Sequence, residues 1–311
     1  MGLLGETKPV KKPILGVSLY PEQETMEEIE NYLTMASQYG FTKIFTSMFS
    51  VPGTKEEVFD YFKNFCDLAH KYGMKVSGDC NTAFLKKMGA SESDISIFKE
   101  MGIDIIRMDL PYFDQRDVTL INNPYNITIE LSSCMIQAVR RALENGANPK
   151  NFSTCHNFYP ERYTASDLES IREVNKELSN LGIPSAVFIS SNEENTHGPW
   201  PVHDGLPTVE DHRWIPAELQ VRHWIAVGDV DEIIFGNAFA SEEEFKAIDQ
   251  VMKEAYVNIP KLVGQDYLAE LLPHGDVERV PFKVVLDDGV TDLEKEILFD
   301  NVYHQCGETP Y

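Results

Sequence analysis

The sequence of 311 residues lacks the features that mark several large classes of protein. It has five cysteines, an odd number without any C-x-x-C pair, which argues against a zinc site or a disulfide framework and favours a reducing compartment. No apolar run is long enough to span a bilayer, and the N-terminal stretch MGLLGETKPVKKPILG lacks the apolar core of a signal peptide. We therefore expect a cytoplasmic protein with no membrane partner.

Positive charge is also scarce. Lys and Arg total 27 against 50 Asp and Glu, which gives a net charge of -23. Such an excess repels phosphate backbones and anionic lipid heads, so we expect no nucleic-acid partner. An anionic ligand would have to be met by locally placed Arg, His or backbone N–H groups.

Several catalytic and cofactor motifs are missing as well. The chain contains no H-x-H or H-E-x-x-H pattern, no Walker loop and no G-x-S-x-G. We therefore expect neither a metal nor a cofactor. Cys155 next to His156 suggests a thiol nucleophile, but sequence neighbours seldom have catalytic geometry, which favours a buried structural thiol.

Eight short apolar runs recur along the chain, with stretches of helical periodicity between them. The runs are rich in Ile, Val and Phe and too short for helices, which is typical of buried parallel strands. They are ILGVS (14–18), KIFTS (43–47), KVSGD (75–79), DIIRMD (104–109), NITIEL (126–131), NFSTC (151–155), SAVFIS (185–190) and DEIIFG (231–236). Eight such units predict a (β/α)8 TIM barrel. An open doubly wound sheet is the alternative, but the first run is followed by SLYPEQET and not by G-x-G-x-x-G.

Helix boundaries are signalled repeatedly between these runs. Four capping boxes are predicted, at Thr25–Glu28, Thr54–Glu57, Ser166–Glu169 and Ser241–Glu244. Five glycines, Gly40, Gly73, Gly102, Gly146 and Gly182, stand just before strands, where a helix end favours a left-handed residue. The last helix is predicted to end near Tyr256, so we assign 1–258 to the catalytic barrel and 259–311 to a smaller β-rich domain, possibly incomplete.

The ends of the strands carry the candidate catalytic groups, because the chemistry of such barrels lies at the carboxyl ends of the strands. Asp109 ends the fourth run and Glu130 lies on the fifth, and the alternation of each strand points both side chains into the barrel. They form the preferred carboxylate pair, with Asp79 in reserve. For Arg107 and Asp109, two residues apart, an internal ion pair is the alternative. For Asp79 the alternative is a turn cap.

Further polar residues at the strand ends predict a substrate site at the barrel mouth. Candidate sugar contacts are Tyr20, Arg107, His156, Asn157, Tyr159 and Asn237. His156 as a core histidine and Asn157 as a turn residue are the alternatives. The long loop after the seventh run ends at Thr208, a predicted N-cap, and is followed by His212 and Arg213, which together suggest an anion site. A local pair between Arg213 and Glu210 is equally compatible with the spacing.

These residues also carry a family resemblance. The stretches GVSLYP (16–21), GFTKIFTSMF (40–49), IIRMDLPY (105–112), HNFYPERYTA (156–165) and GLPTVEDHR (205–213) resemble the MupG-type 6-phospho-N-acetylmuramidase family of bacterial cell-wall recycling. The resemblance implies a TIM barrel followed by a cyclophilin-like β domain. It also implies a glycosidase that cleaves the β-1,4 bond between N-acetylmuramic acid 6-phosphate and N-acetylglucosamine, a small phosphorylated disaccharide, in peptidoglycan recycling.

The resemblance is carried residue by residue, with two departures. The family's Arg-x-Asp falls on Arg107 and Asp109, its His-Asn-Phe-Tyr-Pro on 156–160, and its Leu-Pro-Thr with His-Arg on 206–208, His212 and Arg213. Ser132 stands where the family has Asn, and DCNT (79–82) stands where it has Asp-Val-Ser-Pro, which bears on the sugar substituent.

Two rival functions make different demands on the sequence. A Schiff-base aldolase needs a lysine at a strand end, and no run ends in one. The alternative of another class is a non-catalytic sugar-phosphate-binding or surface-associated barrel protein. Retaining, inverting and substrate-assisted mechanisms stay open, and the pattern predicts no oligomeric state.

Overall fold

Eight parallel strands close into a barrel in the computed structural model, which describes residues 12–200 and 204–262. Each strand pairs in parallel with the next along the chain, and β8 pairs with β1 to complete the ring. The strands are β1 (Ile14–Leu19), β2 (Phe41–Ser47), β3 (Lys75–Cys80), β4 (Ile105–Met108), β5 (Thr128–Ser132), β6 (Phe152–Cys155), β7 (Ser185–Ile189) and β8 (Glu232–Phe235). The predicted TIM barrel is confirmed, and closure excludes the open sheet.

Helices follow the strands and cover the outside of the barrel. They are α1 (Met26–Gln38), α2 (Lys55–Lys71), α3 (Thr82–Lys87), α4 (Ser96–Met101), α5 (Gln115–Ile121), α6 (Ile136–Glu144), α7 (Leu168–Leu181), α8 (Ala217–Val227) and α9 (Glu242–Leu262). Their apolar faces and the outward faces of the strands bury one continuous hydrophobic layer. Over the described residues, no helix combines the length and apolar composition needed to cross a membrane.

The local signals explain where most helices begin and end. Thr25 and Thr54 cap α1 and α2 in the predicted reciprocal boxes, and Ser241 and Glu244 exchange the same pair of bonds before α9. The box predicted at Ser166 is wrong: α7 is capped by Asp167, whose side chain accepts from the backbone of Ser170. A carboxylate nearer to the first turn displaces the serine.

The predicted stop glycines adopt the expected backbone conformation. Gly102 and Gly182 are the left-handed C-caps of α4 and α7, with φ of 92° and 72°. The other three also have positive φ: Gly40, Gly73 and Gly146.

The predicted domain boundary falls inside a helix. α9 continues to Leu262, beyond the expected end near Tyr256 and across the boundary at 258/259. The β-rich domain predicted for 259–311 lies, apart from the end of α9, outside the described residues and stays a prediction.

Candidate active site

The ends of β3 and β4 bring a carboxylate and a guanidinium together. Asp79 and Arg107 are register partners on these strands, and Arg107 Nη1 donates to Asp79 Oδ1 over 2.9 Å. Both residues are buried, with 9% and 5% of their surface exposed. Arg107 therefore pairs across the sheet and not with Asp109, because neighbouring strands lie about 4.8 Å apart whereas residues i and i+2 on one strand lie about 6.6 Å apart.

The environment of Asp79 favours its protonated form. Burial raises the pKa of Asp79 to about 6 and outweighs the opposing effect of the Arg107 guanidinium, while the charges of Asp109 and Glu130 raise it further. A carboxyl group that titrates near neutrality is suited to proton transfer. Asp79, predicted as the reserve, has the properties expected of a general acid.

Asp109 lies beside Asp79 on the solvent side. It directly follows β4 and is exposed, and its backbone N–H donates to the carbonyl of Cys80 over 3.0 Å. Two carboxylates from adjacent strand ends thus occupy the mouth of the barrel, one buried and one exposed.

Asn157 joins this group from the segment after β6. Its Oδ1 accepts from Arg107 Nη2 over 2.6 Å and from Ser132 Oγ over 3.2 Å. Of the predicted site residues, the structure therefore brings together Asp79, Arg107, Asp109 and Asn157.

Glu130 faces inward as predicted but lies below this mouth. It is fully buried, and its Oε2 accepts from Lys43 Nζ over 2.8 Å, with Ser77 Oγ at 3.4 Å from Oε1. Lys43 also binds Glu232, at the start of β8 and therefore at the opposite end of the barrel. The structure does not support the predicted catalytic role of Glu130, because strand alternation sets the direction of a side chain and not its depth in the barrel.

An aromatic wall adjoins the Asp79–Arg107 pair and was missed in the sequence. The Arg107 guanidinium lies 5.9 Å from the Phe45 ring centroid, Phe45 contacts Phe158 at 6.0 Å, and Phe158 contacts Trp200 at 5.9 Å. Trp200 is 50% exposed. Its place in the stiff HGPWP stretch was the available signal.

Tyr20 and Asn237, two predicted sugar contacts, make only internal bonds. The Tyr20 hydroxyl is fully buried and donates to the Gly236 carbonyl. Asn237 Oδ1 accepts from the Ser191 backbone, and its Nδ2 donates to Ser191 O and Thr196 Oγ1. These polar atoms tie β1 and the β7 loop to the end of β8, so the structure does not support a sugar contact through them.

His156 and Tyr159, also predicted to contact sugar, hold the β6 loop. His156 is buried, and its Nε2 donates to Asn175 Oδ1 on α7 over 2.7 Å, so the ring faces the helix layer and not the mouth. Tyr159 bonds through its backbone to Pro207 and Arg213, and its hydroxyl accepts from Ser166. The core-histidine alternative is correct, and the sugar contact predicted for His156 is wrong.

We expect His156 to make the protein acid-sensitive. Burial lowers its pKa from 6.5 to about 4, so between these values the unfolded chain binds a proton that the folded chain does not. The contribution of His156 to the free energy of unfolding is therefore fully present above pH 6.5. It falls by about 3 kcal/mol as the pH drops to 4. Urea unfolding across this range should show a flatter profile for His156→Gln, whose amide can still donate to Asn175.

The control for this prediction is His70→Gln, at a histidine whose side chain is 41% exposed. Burial also lowers the pKa of His212, so part of the slope should remain in His156→Gln. A slope identical to wild type would show that His156 does not contribute.

The structure does not support the predicted anion site at Thr208, His212 and Arg213. The segment after Thr208 forms a short 3-10 turn, 210–212, and the helix proper begins at Ala217 behind Pro216. Thr208 is fully buried and bridges the Phe188 N–H to the Asn157 carbonyl. His212 Nε2 lies 2.6 Å from Nδ1 of buried His223.

All three nitrogens of the Arg213 guanidinium are bonded to other groups of the described structure. Its Nε and Nη2 bind both oxygens of Glu210 at 2.7 and 2.8 Å, and Nη1 reaches the carbonyls of Tyr159, Asp204 and Gly205. The local Glu210 pair is therefore the correct alternative. The residue joins the β6 and β7 loops.

Arg213→Ala is accordingly expected to destabilise the fold and not to change phosphate recognition. Losing a buried guanidinium with a bidentate carboxylate should lower the free energy of unfolding by about 2–3 kcal/mol. Thermal and urea unfolding would measure the loss, with Arg222→Ala as a control at an exposed pair with Glu254. A stable variant with selectively weakened binding of phosphorylated ligand would restore the original prediction.

A cavity of about 460 Å³ lies between the β7 and β8 loops, where many barrels bind phosphate. Its wall contains Glu193 and Glu194 and, over the described residues, neither Lys nor Arg. An anion is disfavoured there.

The described residues offer no group of three or more His, Cys, Asp or Glu placed to hold a metal ion.

Cys155 is buried, and desolvation raises the pKa of its thiol, which disfavours the thiolate needed of a nucleophile.

Comparison with known proteins places the chain. The crystal structure of an uncharacterized B. cereus protein superposes with a TM-score of 0.69 at 35% identity, covering 76% of this chain and 65% of that one. A conserved Enterococcus faecalis protein of unknown function gives 0.67 at 23% identity, covering 79% and 66%, which shows the fold alone. The chain thus spans slightly less than two thirds of these relatives' own length.

More distant structures share only the barrel, such as a trimodular endoglucanase with a TM-score of 0.51 at 7% identity, covering 78% of this chain and 61% of that one. No curated protein matches the sequence. The model of the family described as 6-phospho-N-acetylmuramidase, N-terminal, matches residues 15–250. The chain therefore belongs to the 6-phospho-N-acetylmuramidase family, through its N-terminal barrel domain.

Proposed function

We propose that this protein is a glycoside hydrolase that cleaves the β-1,4 bond between N-acetylmuramic acid 6-phosphate and N-acetylglucosamine during peptidoglycan recycling. The carbohydrate and its phosphate rest on the family assignment. The hydrolytic chemistry is supported by the arrangement at the barrel mouth.

The carboxylates Asp79 and Asp109 are the observation that carries the proposal. They lie on adjacent strand ends, and their environments differ: one is buried beside Arg107 and titrates near 6, and the other is exposed. Glycoside hydrolysis needs one carboxyl group to donate a proton and a second to assist at the anomeric carbon.

Asp79 is the proposed general acid. Protonated, it donates to the glycosidic oxygen as the bond to the anomeric carbon breaks, and Arg107 stabilises the carboxylate that is left. Asp109 supports the developing positive charge on the sugar, either directly or by activating water. Trp200 offers an exposed ring on which a sugar face can stack.

A panel of chromogenic glycosides with and without a 6-phosphate tests the proposal. We expect turnover of the N-acetylmuramic acid 6-phosphate glycoside and little turnover of its unphosphorylated counterpart. Equal rates on both would refute the phosphate requirement. Calorimetric binding of the phosphorylated disaccharide without any hydrolysis would instead favour the non-catalytic sugar-phosphate-binding barrel.

A further inference from the structure

The Arg107 guanidinium makes hydrogen bonds through two of its three nitrogens. Nη1 binds Asp79, Nη2 binds Asn157, and the aromatic ring of Phe45 lies 5.9 Å from the guanidinium carbon. The buried Nε–H has no hydrogen-bond partner in the described structure. The orientation of the guanidinium therefore depends on the bonds at its two terminal nitrogens.

Asp79 accepts only the Nη1 bond, and Asn157 supplies the acceptor for Nη2. Its Oδ1 receives the Arg107 Nη2 bond at 2.6 Å, so the two bonds of the guanidinium run to residues on opposite sides of it, on β3 and after β6. Without this acceptor, a buried donor would lose its partner, and the guanidinium could satisfy it only by turning away from its present plane.

Ser132 in turn orients Asn157. Its hydroxyl lies 3.2 Å from the same Oδ1, at the end of β5. Two donors directed at one oxygen define which side of the amide faces inward, because the amide nitrogen cannot accept either bond. Three strand ends thus converge on the guanidinium through hydrogen bonds alone.

We propose that Asn157, itself oriented by Ser132, is a positioning residue that holds the Arg107 guanidinium in the plane that presents Nη1 to Asp79. The proposal rests on the proposed function, in which Asp79 is the proton donor. It assigns Asn157 a role through Arg107, in place of the direct sugar contact expected from its position in the sequence.

The consequence is a dependence of Asp79 on residues that it does not touch. The charged and titratable groups acting on Asp79 are Arg107 and Asp109 from β4 and its end, Glu130 from β5 and Tyr20 after β1, with Cys80 next to it on β3. Arg107 is the cation among them and opposes the effect of burial. If the guanidinium turns away, burial and the neighbouring carboxylates act unopposed, and Asp79 holds its proton to higher pH.

The test compares Asn157→Ala, Ser132→Ala and Ser133→Ala in the full chain. Ser133 is the matched control, because it is a buried neighbour of the same type whose hydroxyl has no partner in the described structure. Because an acid must be protonated to act, kcat/KM should fall as the pH rises through the pKa of Asp79. We expect this alkaline limb to move to higher pH by about one unit in Asn157→Ala, by less in Ser132→Ala, and not at all in Ser133→Ala.

Titration of the Asp79 carboxyl carbon by 13C NMR, in wild type and each variant, separates the two proposals. A shift of the Asp79 midpoint in Asn157→Ala supports positioning even if the wild type proves to have no glycosidase activity, which would refute only the proposed function. Reduced activity with both the limb and the midpoint unchanged would overturn the positioning role and return Asn157 to direct contact with substrate. If Asn157→Ala does not fold, the milder Ser132→Ala decides by the same two readouts.

Discussion

Asp79→Asn is expected to lower kcat by at least about a hundredfold, the scale of general acid catalysis. The amide preserves the size of the side chain and one acceptor for Arg107 Nη1, so the fold should be retained, but it cannot deliver a proton to the glycosidic oxygen. Steady-state kinetics on the phosphorylated glycoside would measure the loss. A substrate whose leaving group needs no protonation should recover much of the rate.

The matched control is Asp104→Asn, because Asp104 lies at the opposite end of the same region of the sheet. Asp104 stands directly before β4, far from the mouth. Its carboxylate accepts hydrogen bonds from the Val76 backbone N–H and from His70. It should change stability modestly and leave kcat as in wild type. Near-normal turnover of Asp79→Asn would remove Asp79 from the mechanism and return attention to Asp109.

Lys43→Met is expected to destabilise the fold by about 3–5 kcal/mol, because it leaves Glu130 as an uncompensated charge inside the barrel. Lys43 and Glu130 have 3% and 1% of their side chains exposed, and the second partner, Glu232, has 14%. Because these side chains are buried, little water is available to take the place of the ammonium group beside Glu130. Urea unfolding would give the loss, while kcat per folded molecule should stay unchanged.

The double variant Lys43→Met with Glu130→Gln isolates the cause. Removing both charges should restore much of the stability lost in Lys43→Met, since a buried pair often contributes little beyond compensating its own desolvation. Lys75→Met, at an exposed lysine on the wall of the cavity at this end of the barrel, is the control. If Glu130→Gln alone abolished turnover in a folded protein, the original assignment of Glu130 as a catalyst would stand.

Local patterns in the sequence determined the elements and most of their limits. Eight apolar runs became the eight strands because short β-branched and aromatic segments between helical stretches bury well only in a parallel sheet covered by helices. Thr25 and Thr54 begin helices and Gly182 ends one, each through bonds to residues within a few positions along the chain. Such bonds depend on few distant contacts and can be read from spacing.

The same local rules identified the mouth but not its chemistry. Asp79, Arg107, Asp109 and Asn157 were all predicted from their places at strand ends, and they lie together. The parallel arrangement of a closed barrel puts every strand end on one rim, so a candidate list follows from strand order alone.

The tertiary structure decided how deep in the barrel each candidate side chain lies, which way it points and which groups it binds. Glu130 and Asp79 have the same inward phase, but one meets a lysine toward the floor and the other an arginine at the rim. The ring of His156 turns to α7, and Arg213 binds Glu210 and three carbonyls where a helix start was expected. Each outcome depends on residues tens of positions away or on the path of a long loop, because hydrogen bonds and burial are set by distances in the folded chain and not by spacing along it.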